Sequence, residues 1–343
     1  MALFMTPLPA FRAPWWLTHR HAQTLYGALA APTPNPAWIR ERWSTPDGDF
    51  IDVDLLQGRP QAPLLTLFHG LEGSTGSRYL RAIGWAAAAC GWHVLAPNLR
   101  SCSGEMNLKA RIYHAGDSVE IQWILARGRE RHPAVPRFAA GVSLGGNMLL
   151  KWLGEQGTEA RTLVDRAAAI GTPFDLRLVA ENLSRGFNRV YTRHFLSTLK
   201  PKAEAKARQF PGLFDLAGTL RARTMREFDD HFMAPVHGFA DAHDYWARCS
   251  SGPWLGRIDV PTLLLNALDD PFVPHEALPG PTDCSPAIVT DFPGHGGHVG
   301  FVSGHFPGHL RWMPGRLLDF FSAPAGTSLA PPDRSEWVPA IAP

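Results

Sequence analysis

Between Leu64 and Phe292 the chain repeats one pattern: a short apolar run followed by a stretch of helical period. The runs are Leu64–Phe68 (LLTLF), Trp92–Ala96 (WHVLA), Phe138–Val142 (FAAGV), Ala167–Ile170 (AAAI), Thr262–Asn266 (TLLLN) and Ala287–Phe292. Helical period occupies Tyr79–Cys90, Gly116–Arg131 and Gly146–Gln156. Short apolar runs of this kind read as strands buried on both faces. Their alternation with helices predicts βαβ units, and so an α/β chain with a mostly parallel sheet covered by helices on both sides. Ahead of the first unit, Trp38–Ser44 and Phe50–Leu56 alternate apolar and polar residues around Pro46-Asp47-Gly48, which predicts an antiparallel hairpin leading into the sheet.

The alternation fails once. From Phe174 to Arg257 no strand-like run occurs, and the segment reads as several short helices rich in Arg, Phe and His. An insertion at that point would lie over the strand ends, where ligands bind in this class, so 174–257 is expected to be a lid. Its Phe187, Phe195, Phe210, Phe214, Phe228, Phe232 and Phe239 could line a pocket or form the lid's own core. Residues 1–36, rich in Pro and aromatics, read as an arm packed on the domain, which itself runs over 37–322. Residues 323–343 are Pro- and Ala-rich and read as a mobile tail.

Composition narrows the function classes. The 343 residues carry 33 Lys+Arg against 31 Asp+Glu, a net charge of +2, so no basic excess marks a nucleic-acid partner. At the start, Pro7, Pro9, Arg12 and Pro14 interrupt what a signal peptide needs as an unbroken apolar core. No run of about 18 apolar residues predicts a transmembrane helix. Cys90, Cys102, Cys249 and Cys284 are scattered and form no C-x-x-C pair, which suits a reducing compartment, and the cytoplasm is the expected location. The Trp15-Trp16 arm or the lid could still touch a membrane surface peripherally.

The chemistry centres on Gly141-Val142-Ser143-Leu144-Gly145, a G-x-S-x-G pentapeptide. It follows the run Phe138–Val142 and opens the helical stretch, the strand–turn–helix setting that lifts a serine hydroxyl above the sheet. A serine needs a base to become nucleophilic, and the base needs an orienting acid. Run Thr262–Asn266 leads into Ala267-Leu268-Asp269-Asp270-Pro271, where Asp270 is preferred over Asp269 because it directly precedes the Pro-Phe-Val-Pro turn. Run Ala287–Phe292 leads into Gly294-His295-Gly296-Gly297-His298, and His298, followed by an apolar residue, is preferred over His295 as the base. Two backbone N–H groups are expected to form an oxyanion hole: Leu144, after the nucleophile, and Leu71 in the loop His69-Gly70-Leu71-Glu72-Gly73. Gly70 would let that loop bend inward, and His69 would brace it by hydrogen bonding.

These residues resemble the α/β-hydrolase superfamily. The segments PWWLTHRHAQTLYGAL, HGLEGSTGSRYLRAI, NLRSCSGE, YHAGDS, GVSLGGNMLLKWLG, NALDDPFVP and GGHVGF resemble the YheT-like hydrolases, bacterial relatives of the eukaryotic alpha/beta hydrolase domain lipases and esterases. The resemblance implies Ser143 as nucleophile, Asp270 as acid and His298 as base. It further implies carboxylic esters with aliphatic or lipid-like acyl chains as substrates, with no metal or organic cofactor. Arg100-Ser101-Cys102-Ser103-Gly104 departs from the usual R-G-C-S-G, a change expected to bear on the pocket wall. Three rival readings remain at this level. An acyltransferase would use the same triad; a metal-dependent hydrolase would use His295, His298, His305 and His309 near the two aspartates; a binding module would sit on a retired scaffold. Oligomeric state is not legible.

Overall fold

The computed structural model describes residues 9–324. Apart from its first two residues, the segment 323–343 read as a tail lies outside the described residues. Eight strands form one sheet in the order β1-β2-β4-β3-β5-β6-β7-β8. The hairpin strands β1 (Ile39–Ser44) and β2 (Phe50–Leu56) are antiparallel to each other, and β2 is antiparallel to β4 (His93–Asn98). From β4 onward the pairing is parallel, through β3 (Leu64–Phe68), β5 (Arg137–Val142), β6 (Arg166–Ile170), β7 (Thr262–Leu265) and β8 (Ile288–Asp291).

The two-residue period of each central strand splits its side chains between two cores. Leu64 and Phe68 join Ala139, Ala169 and Leu264 on one face, under α3 (Ser118–Arg131) and α4 (Leu144–Gln156). Leu65 and Leu67 join Val142, Ile170 and Leu263 on the other, under α2 (Arg78–Ala89) and α11 (Trp312–Ser322). Double coverage explains why these strands are apolar throughout instead of alternating. Residues Phe11 and α1 (Arg20–Leu29) lie against the second face. The Phe11 ring meets Phe301 and Trp312 edge-on, and buried Gln23 bonds the backbone of Leu17 and Val302.

Between β6 and β7 the chain forms only helices among the described residues: α5 (Leu176–Leu183), α6 (Arg189–Gln209), α7 (Leu216–Arg221), α8 (Met225–Phe228), α9 (Ala234–His237) and α10 (Ala242–Cys249). They carry a core of their own, with Leu183, Leu196, Leu199, Phe228, Phe232 and Trp246 at its centre. That core also takes in Phe272 and Val273 from the loop after β7, and so the insertion is packed onto the strand ends.

Candidate active site

Ser143 sits between β5 and α4 with φ +54° and ψ −120°, a strained backbone for a residue with a side chain. The turn is tight enough that a Cβ on Gly141 would fall 2.3 Å from the Gly145 carbonyl, and one on Gly145 would fall 2.5 Å from the His69 carbonyl. Strand, helix and the loop after β3 thus close on one another only where side chains are absent. Asn147, one turn into α4, donates to the carbonyls of Ala115 and Cys249 and accepts from Ser251 N–H, which ties the helix to the insertion.

The Ser143 hydroxyl lies 3.0 Å from His298 Nε2, and His298 Nδ1 lies 2.8 Å from Asp270 Oδ2. Asp270 is buried, and its second oxygen accepts the N–H groups of Phe272 and Val273 at 2.7 and 3.2 Å. A carboxylate accepts only, so the proton on the imidazole sits on Nδ1 and leaves Nε2 free to accept from Ser143. The Phe272 ring stacks on His298 with centroids 4.1 Å apart. His298 N–H donates to Thr24 Oγ1 of α1, so the N-terminal segment holds the loop that carries the imidazole. Asp269 and His295 form a separate, more exposed pair at 3.3 Å, and Asp269 also accepts from Gly297 N–H. His309 bonds Ser303 instead of an acid, and among the described residues no three His, Cys, Asp or Glu are gathered to hold a metal ion.

Facing Ser143 is the loop after β3. A Cβ on Gly70 would stand 3.0 Å from the Ser143 Cβ, so this backbone runs directly against the serine. The fully buried His69 accepts Leu99 N–H at Nε2 (2.9 Å), which places its proton on Nδ1, where it donates to the Gly70 carbonyl at 2.8 Å. Burial, only partly opposed by that hydrogen bond, lowers the His69 pKa to about 4, so the ring is neutral. The Tyr79 hydroxyl accepts Gly70 N–H at 3.0 Å. Glu72, at φ +55°, gives its N–H to Tyr113 and takes Tyr113 O–H and Lys202 Nζ on its carboxylate at 2.8 and 2.6 Å. The amides of Leu71 and Leu144 have no acceptor among the described residues, and both residues line the same cleft as Ser143 and His298.

That cleft contains about 820 Å³ of atom-free space, its open mouth included, and is mostly apolar. Leu176, Val179 and Leu183 of α5, Phe195 and Leu199 of α6, and Met225 and Phe228 of α8 form its far wall. Of the insertion's phenylalanines only Phe195 and Phe228 reach it; Phe232 packs inside the helical core against Phe214, and Phe187 is exposed. Ser101, expected at the pocket wall, is absent from it. It adopts φ +66° and turns its hydroxyl to Asn107 Oδ1 at 2.6 Å, a partner that supports a non-glycine residue at this bend. Sequence reasoning passed over Glu72, Tyr113, Lys202 and Thr24, whose roles depend on contacts between distant segments. It also passed over Asp229, a buried carboxyl in the cleft wall. Burial raises the Asp229 pKa to about 7, opposed by a hydrogen bond from Trp246 and reinforced by Asp230.

Comparison with known proteins matches this architecture. The model of the alpha/beta hydrolase fold family covers residues 63–304. The YheT protein of Escherichia coli K12, whose name ascribes it an esterase activity, is 39% identical over 84% of this chain and 85% of its own. The mouse phospholipase ABHD3 is 28% identical over 90% of this chain and 77% of its own. Among solved structures, the Pyrococcus furiosus esterase Pf2001 superposes with a TM-score of 0.54 at 13% identity, covering 85% of this chain and 97% of that one. With β3 to β8, the serine turn and these similarities in agreement, the chain belongs to the α/β-hydrolase fold family and, within it, to the YheT-like hydrolases.

Proposed function

We propose that the protein hydrolyses carboxylic esters with aliphatic or lipid-like acyl chains, through a Ser143–His298–Asp270 triad and an acyl-enzyme. The observation that carries this reading is the continuous hydrogen-bond chain from Asp270 through His298 to Ser143, set at the foot of an apolar cleft beside two unpaired amides. Ser143 Oγ attacks the ester carbonyl as His298 Nε2 takes its proton, and Asp270 holds the imidazole in the Nδ1–H tautomer and stabilises the imidazolium. Oxygen charge developing on the carbonyl is met by Leu71 and Leu144 N–H, each such donor contributing about 3 kcal/mol to barrier lowering. His298 then returns the proton to the leaving alcohol, and water repeats the sequence to release the acid. Helices α5 to α10 would act as the lid, their apolar inner faces receiving the acyl chain.

The names of its relatives, an esterase and a phospholipase, support ester bonds as the target class. The test is a chain-length series of p-nitrophenyl esters with a phospholipid and a triacylglycerol, run on the protein and on Ser143→Ala. Turnover and fluorophosphonate labelling should both vanish in Ser143→Ala; ordinary turnover in that variant would refute the mechanism. Competing alcohols in the same assay separate hydrolysis from acyl transfer, because transfer yields a new ester in place of the free acid.

A further inference from the structure

The cleft wall contains one carboxyl among the described residues, Asp229, and it is only 5% exposed. It opens a π-helical turn, Asp229–Met233, between α8 and α9, where an extra residue per turn displaces side chains from the regular helical positions. Its Oδ2 accepts Trp246 Nε1–H at 2.8 Å. Its Oδ1 has no hydrogen-bond donor among the described residues. Of the other polar groups along that wall, the Tyr245 hydroxyl accepts Ala115 N–H, Tyr113 is paired with Glu72, and His114 Nδ1 accepts Gly116 N–H. The Tyr245 hydroxyl proton and the second His114 nitrogen have no hydrogen-bond partner among the described residues. Met225, Phe228, Met233 and Val179 line the same cleft and offer no donor; the titratable and charged groups that act on Asp229 are Asp230 and the Tyr245 hydroxyl.

A buried carboxyl oxygen facing an otherwise apolar cleft is costly unless a donor meets it. A wall meant only for hydrocarbon would carry Leu or Met at this position. We infer that Asp229 is a specificity-determining residue that accepts a hydrogen bond from a hydroxyl group on the acyl chain, so that hydroxyacyl esters are preferred over their plain alkyl counterparts. An ammonium group fits less well, because its desolvation in these surroundings would be met by one carboxyl alone. Asp229 makes no hydrogen bond with Ser143, His298 or Asp270, so it reads the chain at a point away from the ester carbon. The inference rests on the serine-esterase reading, and its test separates the two.

A homologous series of p-nitrophenyl n-alkanoates is assayed beside the corresponding ω-hydroxyalkanoates, so that lengthening the chain carries the hydroxyl past Asp229. Assayed above pH 8, where a carboxyl raised to about 7 is ionised, the hydroxy-to-plain ratio of kcat/KM should peak at one chain length, by about tenfold or more, the range of a hydrogen bond to a charged group. Asp229→Leu should remove the peak. Because the readout is a ratio within each variant, a general loss of activity does not imitate the effect, and fluorophosphonate labelling reports whether the variant's site has folded. Asp229→Asn keeps a carbonyl for Trp246 and turns a donor toward the cleft. Above pH 8 it should therefore admit an ω-methoxy ester that the wild-type carboxylate disfavours. If the wild type hydrolyses the esters but the ratio is flat at all lengths, or if Asp229→Leu retains the peak, the inference is wrong and the esterase reading stands. If the wild type neither labels nor turns over any ester, the esterase reading itself fails.

Discussion

At the scale of single residues, the site separates two adjacent aspartates by environment. Asp270 is buried, held by two amides and in contact with His298, whereas Asp269 caps a loop and meets the exposed His295. Asp270→Asn would turn an amide N–H or a weaker acceptor toward Nδ1 and favour the wrong imidazole tautomer. On the proposed mechanism kcat for an activated ester should fall by roughly 10³- to 10⁴-fold. Asp269→Asn should change kcat by less than about threefold, since it loses only a loop contact of the kind worth about 1 kcal/mol or less. Equal losses in steady-state assays of the two variants would contradict the assignment. Adjacent acids at 269 and 270 look alike in the sequence, where the Pro-Phe-Val-Pro turn favours one; burial and the distance to His298 are what distinguish them physically.

At the scale of elements, the insertion and the loop after β3 are joined by one ion pair. Lys202 lies near the middle of α6 and reaches Glu72, the residue after the proposed oxyanion donor Leu71. Glu72 holds a positive φ, and Tyr113 grips both its N–H and its carboxylate, so the bend beside the Leu71 amide is fixed by contacts that α6 helps to keep. Lys202→Met would leave the buried Glu72 carboxylate with Tyr113 as its remaining partner. Urea unfolding should show a loss of about 1–3 kcal/mol, the range for removing a hydrogen bond to a buried charged group. If the pair also aims the amide, kcat should fall about tenfold with KM changing less, and Lys202→Arg should restore part of it. A stability loss with kcat intact would limit the pair to a structural role. Nothing local in KPKAEAKA marks Lys202 as a partner of a loop 130 residues earlier, so this contact could not be read from pattern.

At the scale of the whole molecule, the balance of buried titratable groups sets the response to acid. Burial lowers the pKa of His69 and His114 to about 4 and that of His237 to about 2. Unfolding in mildly acidic solution therefore takes up a proton at each, starting near the ordinary value of about 6.5. Burial raises Asp229 and Glu120 to about 7, and unfolding releases a proton from each over the same range. Burial also lowers the pKa of His21, His132 and His309, so uptake on unfolding outweighs release and stability should decline as pH falls from about 6.5 toward 4.5. Urea titrations at several pH values measure this slope; a stability that rises over the same interval would reverse the sign. Below pH 4 a further loss is expected from Asp49. Its burial is outweighed by hydrogen bonds from Asn107 and the Leu108 and Lys109 amides, which hold it at about 2, and that stability is lost as pH falls through this value.

The order of elements was legible because each depends on its own neighbours. LLTLF and TLLLN show as strands in the sequence because an apolar run bounded by turns is a local pattern, and Leu64–Phe68 is a strand over the predicted residues. The other central strands differ from the reading by one or two residues at their ends, where hydrogen bonding of the sheet, not composition, decides the boundary. The serine turn was legible for a related reason: a tight strand-to-helix turn requires glycine at both flanks, a local steric demand written as G-x-S-x-G. By itself, then, the sequence determined the alternation of strands and helices, the helical insertion and the chain order Ser, Asp, His. Which aspartate meets His298, that Lys202 meets Glu72, that Thr24 supports the histidine loop and that Asp229 faces the cleft were decided only by tertiary structure. Those contacts join segments far apart in the chain, and their energy comes from burial and hydrogen bonds that exist only once the two cores have packed.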